Sequence, residues 1–160
     1  MTEGTVVTWP VPAGWAETVA RTYTRLSATS LGFLERLVLG LIAGVVLGVT
    51  VGWGGLAFVL VFPVVSLART YFGTRRQVAR LVPEGSTVAG TFGPESFQYE
   101  RGGVSDLFRY DDCSALSVRG EVLCLRLRSS RRWGTFPAAL FGPEPRAALQ
   151  SAAKAGRSRR

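Results

Sequence analysis

The chain has 160 residues, 47% of them hydrophobic and 19% charged, and its 19 Lys+Arg outweigh 11 Asp+Glu for a net charge of +8. It has no histidine, so the commonest general base and metal ligand is missing, and its two cysteines, Cys113 and Cys124, are too few for a zinc cluster or a disulfide-built scaffold. Length allows one ordinary domain, or a small domain with an attachment. No residue from Leu37 to Ala68 is charged, a run that a soluble domain of this size rarely holds, so the pattern predicts a membrane protein.

The first segment is residues 1–30. It does not read as a secretory signal, because Glu3 is the only charge near the start and the apolar run begins too late. Thr5 to Trp9 is a short β-branched stretch closed by Pro10 and Pro12, which predicts a brief strand. Trp15, Val19, Tyr23 and Leu26 then recur at helical spacing, with Glu17, Arg21 and Arg25 at i,i+4 on another face. Such a helix either packs on the rest of the protein or lies on a membrane surface, aromatics down and arginines toward phosphates.

The second segment, residues 31–85, holds the apolar run. As one helix that run would be about 48 Å long at about 1.5 Å per residue, against a hydrocarbon core about 30 Å thick. Two spans fit better, at about Phe33–Val51 and Leu56–Phe72, with Gly52-Trp53-Gly54-Gly55 as the turn and Pro63 as a kink in the second. Arg36 flanks the first span, Arg69, Arg75, Arg76 and Arg80 follow the second, and the loop carries no charge, which predicts both ends in the cytoplasm. A single long span, with the N-terminus outside, is the alternative. Gly40, Gly44, Gly48 and Gly52 recur every fourth residue, leaving one helix face almost bare for close approach by the second span, or by another copy of the chain. Little beyond Thr50 and Ser66 is polar here, which argues against an ion channel.

The third segment, residues 86–160, reads as a small antiparallel β domain. Turn signals at Gly93-Pro94, Gly102-Gly103, Asp111-Asp112, Arg119-Gly120 and Ser129-Ser130 punctuate short β-type runs. The clearest hairpin joins Cys113–Val118 to Glu121–Arg128 across Arg119-Gly120, setting Leu116 opposite Leu123 and Val118 opposite Glu121. Leu123, Leu125 and Leu127 then share the buried face, while Cys124, Arg126 and Arg128 point outward. On that register the two cysteines stand on the outer face, too far apart for a comfortable bridge. Pro143, Glu144 and the stripe Ala148, Leu149, Ala152 and Ala153 predict a closing helix that Gly156 stops.

This layout resembles the YcxB-like membrane proteins of bacteria. The resemblance rests on Tyr110-Asp111-Asp112 at a strand start, the Leu-rich strand Val122 to Arg128, and Thr135 to Phe141 before the closing helix. In motif detail it covers about Phe108 to Ala153, and it departs at Tyr110, where that family often has Trp. The resemblance implies a pleckstrin-homology-like fold for the last domain, a multi-pass protein of the bacterial cell membrane, and no catalytic residues.

Enzymatic readings are weak. Without His there is no Ser-His-Asp or Cys-His arrangement, and no phosphate-cradling motif lies between a strand and a helix. The adjacent carboxylates Asp111 and Asp112 are the one candidate pair, and such neighbours usually close a turn. No cofactor and no metal site is expected. The basic residues look more functional. Arg126, Arg128, Arg131 and Arg132 form a candidate contact with anionic lipid or another anion, beside Arg146, Lys154 and the basic tail. A cytoplasmic side simply rich in arginine is the plainer reading, and nucleic-acid binding has no motif behind it. The expectation is therefore an α+β membrane protein: a transmembrane helical hairpin anchoring a pleckstrin-homology-like β domain with a C-terminal helix. It would serve as a non-enzymatic adaptor for a protein partner or the anionic inner leaflet. The alternatives are a homo-oligomer built through the glycine face and an enzyme using Asp111 or Asp112.

Overall fold

The computed structural model describes residues 5–29, 31–51, 53–130 and 133–158. The protein is α+β. Its elements run β1 (Thr5–Pro10), α1 (Trp15–Ala28), α2 (Leu31–Val51), α3 (Trp53–Leu81), β2 (Thr87–Phe92), β3 (Ser96–Arg101), β4 (Val104–Arg109), β5 (Cys113–Arg119), β6 (Val122–Leu127), β7 (Trp133–Pro137) and α4 (Pro143–Ser158). Short 3-10 turns at Tyr110–Asp112 and Ala138–Leu140 lie between β4 and β5 and after β7. The chain forms two compact units. One is Met1–Trp15 with Ala79–Arg160, the other Ala16–Val78.

The first unit holds two antiparallel sheets, of strand order β1-β2-β3-β4 and β5-β6-β7. Hydrophobic patterning identifies β1 as a strand but says nothing of its partner. It pairs with β2 over its whole length, from Thr5 opposite Phe92 to Pro10 opposite Thr87, so the N-terminal strand is part of the β unit and all three helices of the other unit arise inside the β1–β2 connection. Where the chain leaves and re-enters, its two crossings are tied together. The Val11 amide donates to the Ser86 carbonyl at 2.9 Å, the Gly85 amide to the Val11 carbonyl at 3.0 Å, and the Gly14 amide to Glu84 Oε1 at 2.9 Å. Gly102 and Gly103, at φ 53° and 77°, make the two-residue turn from β3 to β4, as mirror-image hairpin turns require.

The β5–β6 hairpin differs from expectation. Its central residues are Gly120 and Glu121, with Leu116 opposite Leu125 and Val118 opposite Leu123. Gly120 has φ 58° and occupies the first central position, where a mirror-image turn places glycine. The register moves by two residues, so no side chain on β6 changes face. Leu123 and Leu125 are fully buried as expected, and Leu127 is half-buried. The cysteines are not on an exposed face: Cys113 is 1% exposed and Cys124 0%. A bulge between Cys113 and Ala115 sets Cys113 opposite Leu127, which turns it inward, and Cys124 lies on the central strand between Ser117 and Thr135. α4 packs on β5 and on the Tyr110–Asp112 turn. It runs through Gly156 to Ser158, because glycine weakens a helix without forbidding it.

The core between the sheets is aromatic. Phe97, 1% exposed, stacks on Phe92, Phe108 and Tyr110 with centroids 5.9, 5.0 and 6.0 Å away, and meets Phe136 and Phe141 edge-on at 5.6 and 5.2 Å. Contacts of this kind add about 0.5–1.5 kcal/mol each beyond the area they bury. Two of these rings share a local device. The tripeptide Gly-Thr-Phe occurs on β2 (Gly90-Thr91-Phe92) and on β7 (Gly134-Thr135-Phe136), and each ring folds back over the glycine two residues before it. A Cβ on Gly90 would lie 2.9 Å from Phe92 Cε2, and one on Gly134 would lie 2.9 Å from Phe136 Cε2.

In the second unit, α1 is amphipathic as its spacing predicts. Val19, Ala20 and Leu26 are buried, and exposed Arg21 donates to Glu17 one turn earlier. α2 and α3 meet at Gly40, where a Cβ would lie 2.9 Å from Phe62 Cδ1, and Gly44 is buried. Gly48 lies on α2, and Gly52 falls outside the described residues. Trp53, Gly54 and Gly55, expected in the loop, are already helical, and α3 runs 29 residues through Pro63 to Leu81 instead of ending at Phe72. Among the described residues no single helix is long and apolar enough to cross a membrane. Trp15–Ala28 and Phe33–Val46, bent by 64° at their break, reach that length and composition only together.

Replacing Gly90 or Gly134 with Ala should lower stability by about 1–3 kcal/mol through overpacking against the ring, read from a denaturant midpoint. Gly73→Ala, in α3 with open space around it, should be neutral or stabilising by up to about 1 kcal/mol. Equal effects at the three positions would contradict this account of the core.

Candidate functional site

The residues singled out from the sequence divide into three groups in the β unit. Arg126 and Arg128 are both exposed, at the end of β6. Arg126 lies opposite Ala115 on one side and Trp133 on the other. Arg131 and Arg132 fall outside the described residues. Other basic residues of this unit are already engaged. Arg101 pairs with Asp106 at 2.9 Å and lies over the Tyr99 ring at 5.6 Å, and burial pushes the Tyr99 hydroxyl up to about 12. Arg146 is half-buried and donates from Nη2 to the Ala138 carbonyl at 2.6 Å, which pins α4 to the turn after β7.

The second group is Tyr110-Asp111-Asp112. This 3-10 turn carries the chain from one sheet to the other, and each of its residues is used in making that corner. The Tyr110 amide donates to the Glu95 carbonyl at 2.9 Å, its ring is buried against Phe97, and that burial raises its pKa. Asp111 accepts two hydrogen bonds from Arg109, at 3.1 and 3.0 Å, which hold its carboxyl below the usual range. Asp112 turns to the other sheet. Its Oδ1 accepts from the Ser129 amide at 2.9 Å, its Oδ2 from the Ser129 hydroxyl, and its carbonyl from the Arg128 amide at 2.8 Å. The two carboxylates are thus held by different partners, Asp111 by Arg109 at the end of β4 and Asp112 by Ser129 in the turn after β6, and the geometry of Asp112 is that of turn closure. No cluster of His, Cys, Asp or Glu fit for a metal ion occurs among the described residues.

The cysteines form the third group. Cys113 Sγ–H donates to the Ala115 carbonyl at 3.6 Å, and burial raises its pKa. Burial lifts Cys124 further, from 9.0 to about 11. Both are unbridged. Cys124 stands three residues along β6 from the partner of Cys113, about 10 Å at 3.3 Å per residue, too far for a disulfide.

A shallow cleft of about 590 Å³ opens beside the start of α4, walled by Thr5, Val7, Phe92, Tyr110 and Pro143 among others. A second hollow of about 470 Å³ shares Pro94, Tyr110 and Ala148 with it and adds Arg109, Asp111 and Arg128. Sequence reasoning missed this feature, because the N-terminal strand and the C-terminal helix that wall it are brought together only by the fold. Its lining is apolar, with charges of both signs at one end. No family model, no curated protein and no solved structure matches the chain.

Two outcomes follow from this geometry. Asp112→Ala should cost about 0.5–1.5 kcal/mol, since it removes the hydrogen bonds that tie exposed Ser129 to the corner, whereas Asp111→Ala should leave the unfolding midpoint in place. A larger loss at Asp111 would contradict the corner described here. For the cysteines, neither thiol should react with iodoacetamide at pH 8 before unfolding. The Cys124 thiol favours the protonated fold, so its contribution is intact below about pH 9 and fades as pH climbs toward 11. Cys124→Ala should flatten that alkaline fall in melting temperature, and an unchanged slope would contradict it.

Proposed function

We propose that this chain is an integral membrane anchor for a small adaptor domain, of the YcxB-like, pleckstrin-homology-like type. The observation that carries the reading is the surface of α2 and α3. Leu34, Val38, Leu39, Leu41, Ile42, Val45, Val46 and Val49 on α2 are all exposed, Val49 at 83%, as are Val61, Val64 and Val65 on α3. At about 100° per residue these positions fill an arc of about 160°, and the packed side of α2, with Phe33, Leu37, Gly40 and Gly44, is apolar as well. A helix that is apolar all round is buried in protein or in a bilayer, and such area left in water costs about 25 cal/mol per Å². The β unit supports the adaptor half of the reading, with four and three antiparallel strands closed by a C-terminal helix.

The β1–β2 pairing supports a two-span topology. Pro10 lies opposite Thr87, so the helices leave and return at one edge of one sheet. If they enter a bilayer, return to that edge calls for an even number of crossings, which favours the hairpin over the single span. With the exposed arginines Arg69, Arg75 and Arg76 following the apolar part of α3, the β unit belongs on the cytoplasmic side by the positive-inside rule. Its role there is non-enzymatic: Asp111 and Asp112 close turns, and the surface left for a partner is the arginine-bearing end of β6 with the cleft beside α4.

The test is extraction and topology of the full-length chain made in bacterial cells. The protein should stay with the membrane through alkaline carbonate, with reporters at both termini cytoplasmic and a reporter at Trp53 outside. Release by carbonate, or termini on opposite sides, would overturn the reading.

A further inference from the structure

Resting on the membrane reading above, we infer that the lipid-headgroup contact of this protein is made by the arginine tier of α3, Arg69, Arg75 and Arg76, rather than by the arginines of β6. All three are exposed. Arg69 and Arg76 are seven residues apart, two helical turns, so they stand one above the other about 10.5 Å apart, with Arg75 about 100° to the side. The half-buried residues Leu67, Tyr71, Thr74 and Val78 mark the packed face of the same stretch, and Arg69 and Arg76 are on the face away from it. The ion pairs of the described residues are Glu17–Arg21, Arg101–Asp106 and Arg109–Asp111, so no carboxylate among them neutralises this tier.

Its depth suits headgroups. From Trp53 to Ala68, α3 carries no charge for about 24 Å at about 1.5 Å per residue, short of the roughly 30 Å hydrocarbon core. A crossing helix therefore leaves Arg69 just inside the headgroups, close enough for its long stem to snorkel to the phosphates, and sets Arg75 and Arg76 beyond it on the aqueous side. Tyr71 and Phe72, ring centroids 5.3 Å apart with Phe72 53% exposed, stand at that level as interfacial aromatics do. Arg128, by contrast, shares its hollow with Glu95, whose charge weakens its pull on an anion, and with the Arg109–Asp111 pair. The partner chemistry is an anionic phosphodiester headgroup at the bilayer surface.

The experiment uses the full-length protein in mixed micelles of equal phosphatidylglycerol and phosphatidylcholine, with bound lipid counted by native mass spectrometry. Wild type should hold phosphatidylglycerol preferentially, and less so as salt rises. The preference should fall about fivefold per arginine replaced, on the order of a hundredfold for Arg69→Gln with Arg75→Gln and Arg76→Gln. The same three changes to Lys should keep most of it, which separates charge from helix damage. Arg126→Gln with Arg128→Gln should leave it intact. An undiminished preference in the triple Gln variant, or its loss in the β6 variant, would overturn the inference. Carbonate release of wild type would instead sink the membrane reading beneath it.

Discussion

The pairing of β1 with β2 is the constraint on which the rest depends. Six residues at the start of the chain complete a sheet whose other strands come after every helix of the second unit. The backbone bonds between Val11, Gly85 and Ser86 extend that pairing to the two crossings. Whatever medium surrounds α2 and α3, the chain must come back to where it left. Any segment inserted between two paired strands has to begin and end at the same sheet edge. That is a stricter condition than charge asymmetry, which biases orientation without fixing the number of crossings.

The core of the β unit is built from aromatic rings. Phe97 is the hub, touched by rings from β2, β4, β7 and both 3-10 turn regions. Gly90 and Gly134 give up side chains so that Phe92 and Phe136 can lie flat over the strand. The Tyr110–Asp112 corner then ties the sheets together, the Tyr110 amide to the β2–β3 turn and the Asp112 carboxylate to the β6–β7 turn. Asp112 and Arg146 are spent on closing the unit, whereas Arg126 and Arg128 stay exposed on its surface.

Local features were legible in the sequence and long-range ones were not. Period-two alternation placed Leu123 and Leu125 inward, and turn residues located the connections at Gly93-Pro94 and Gly102-Gly103, because each is decided within a few residues. The hairpin register at Gly120 slipped by two, since a lone glycine can take either central position of a two-residue turn. Cys113 was misplaced because a bulge leaves no signature in composition. The partner of β1, the Phe97 hub and the cleft beside α4 were invisible, as each depends on segments far apart in the chain. At the candidate site, the exposure of Arg126 followed from alternation. The engagement of Arg146 with Ala138 and of Asp112 with Ser129 needed the fold. The glycine series pointed to close helix contact, and at Gly40 the contact found is the Phe62 ring of α3.

The β1–β2 clamp can be tested directly by cross-linking. Thr8 lies opposite Ala89, and facing antiparallel residues have Cα atoms within about 5.5 Å, inside disulfide range. In membranes containing the full-length chain, Thr8→Cys with Ala89→Cys should form an intramolecular disulfide in high yield under mild oxidation. Moving the first cysteine to Val6, whose partner is Thr91 and which is therefore two residues out of register with Ala89, should abolish most of it. Efficient closure of the Thr8–Ala89 pair supports a strand completed across the three helices between β1 and β2, and failure of that pair to close would contradict the account at its centre.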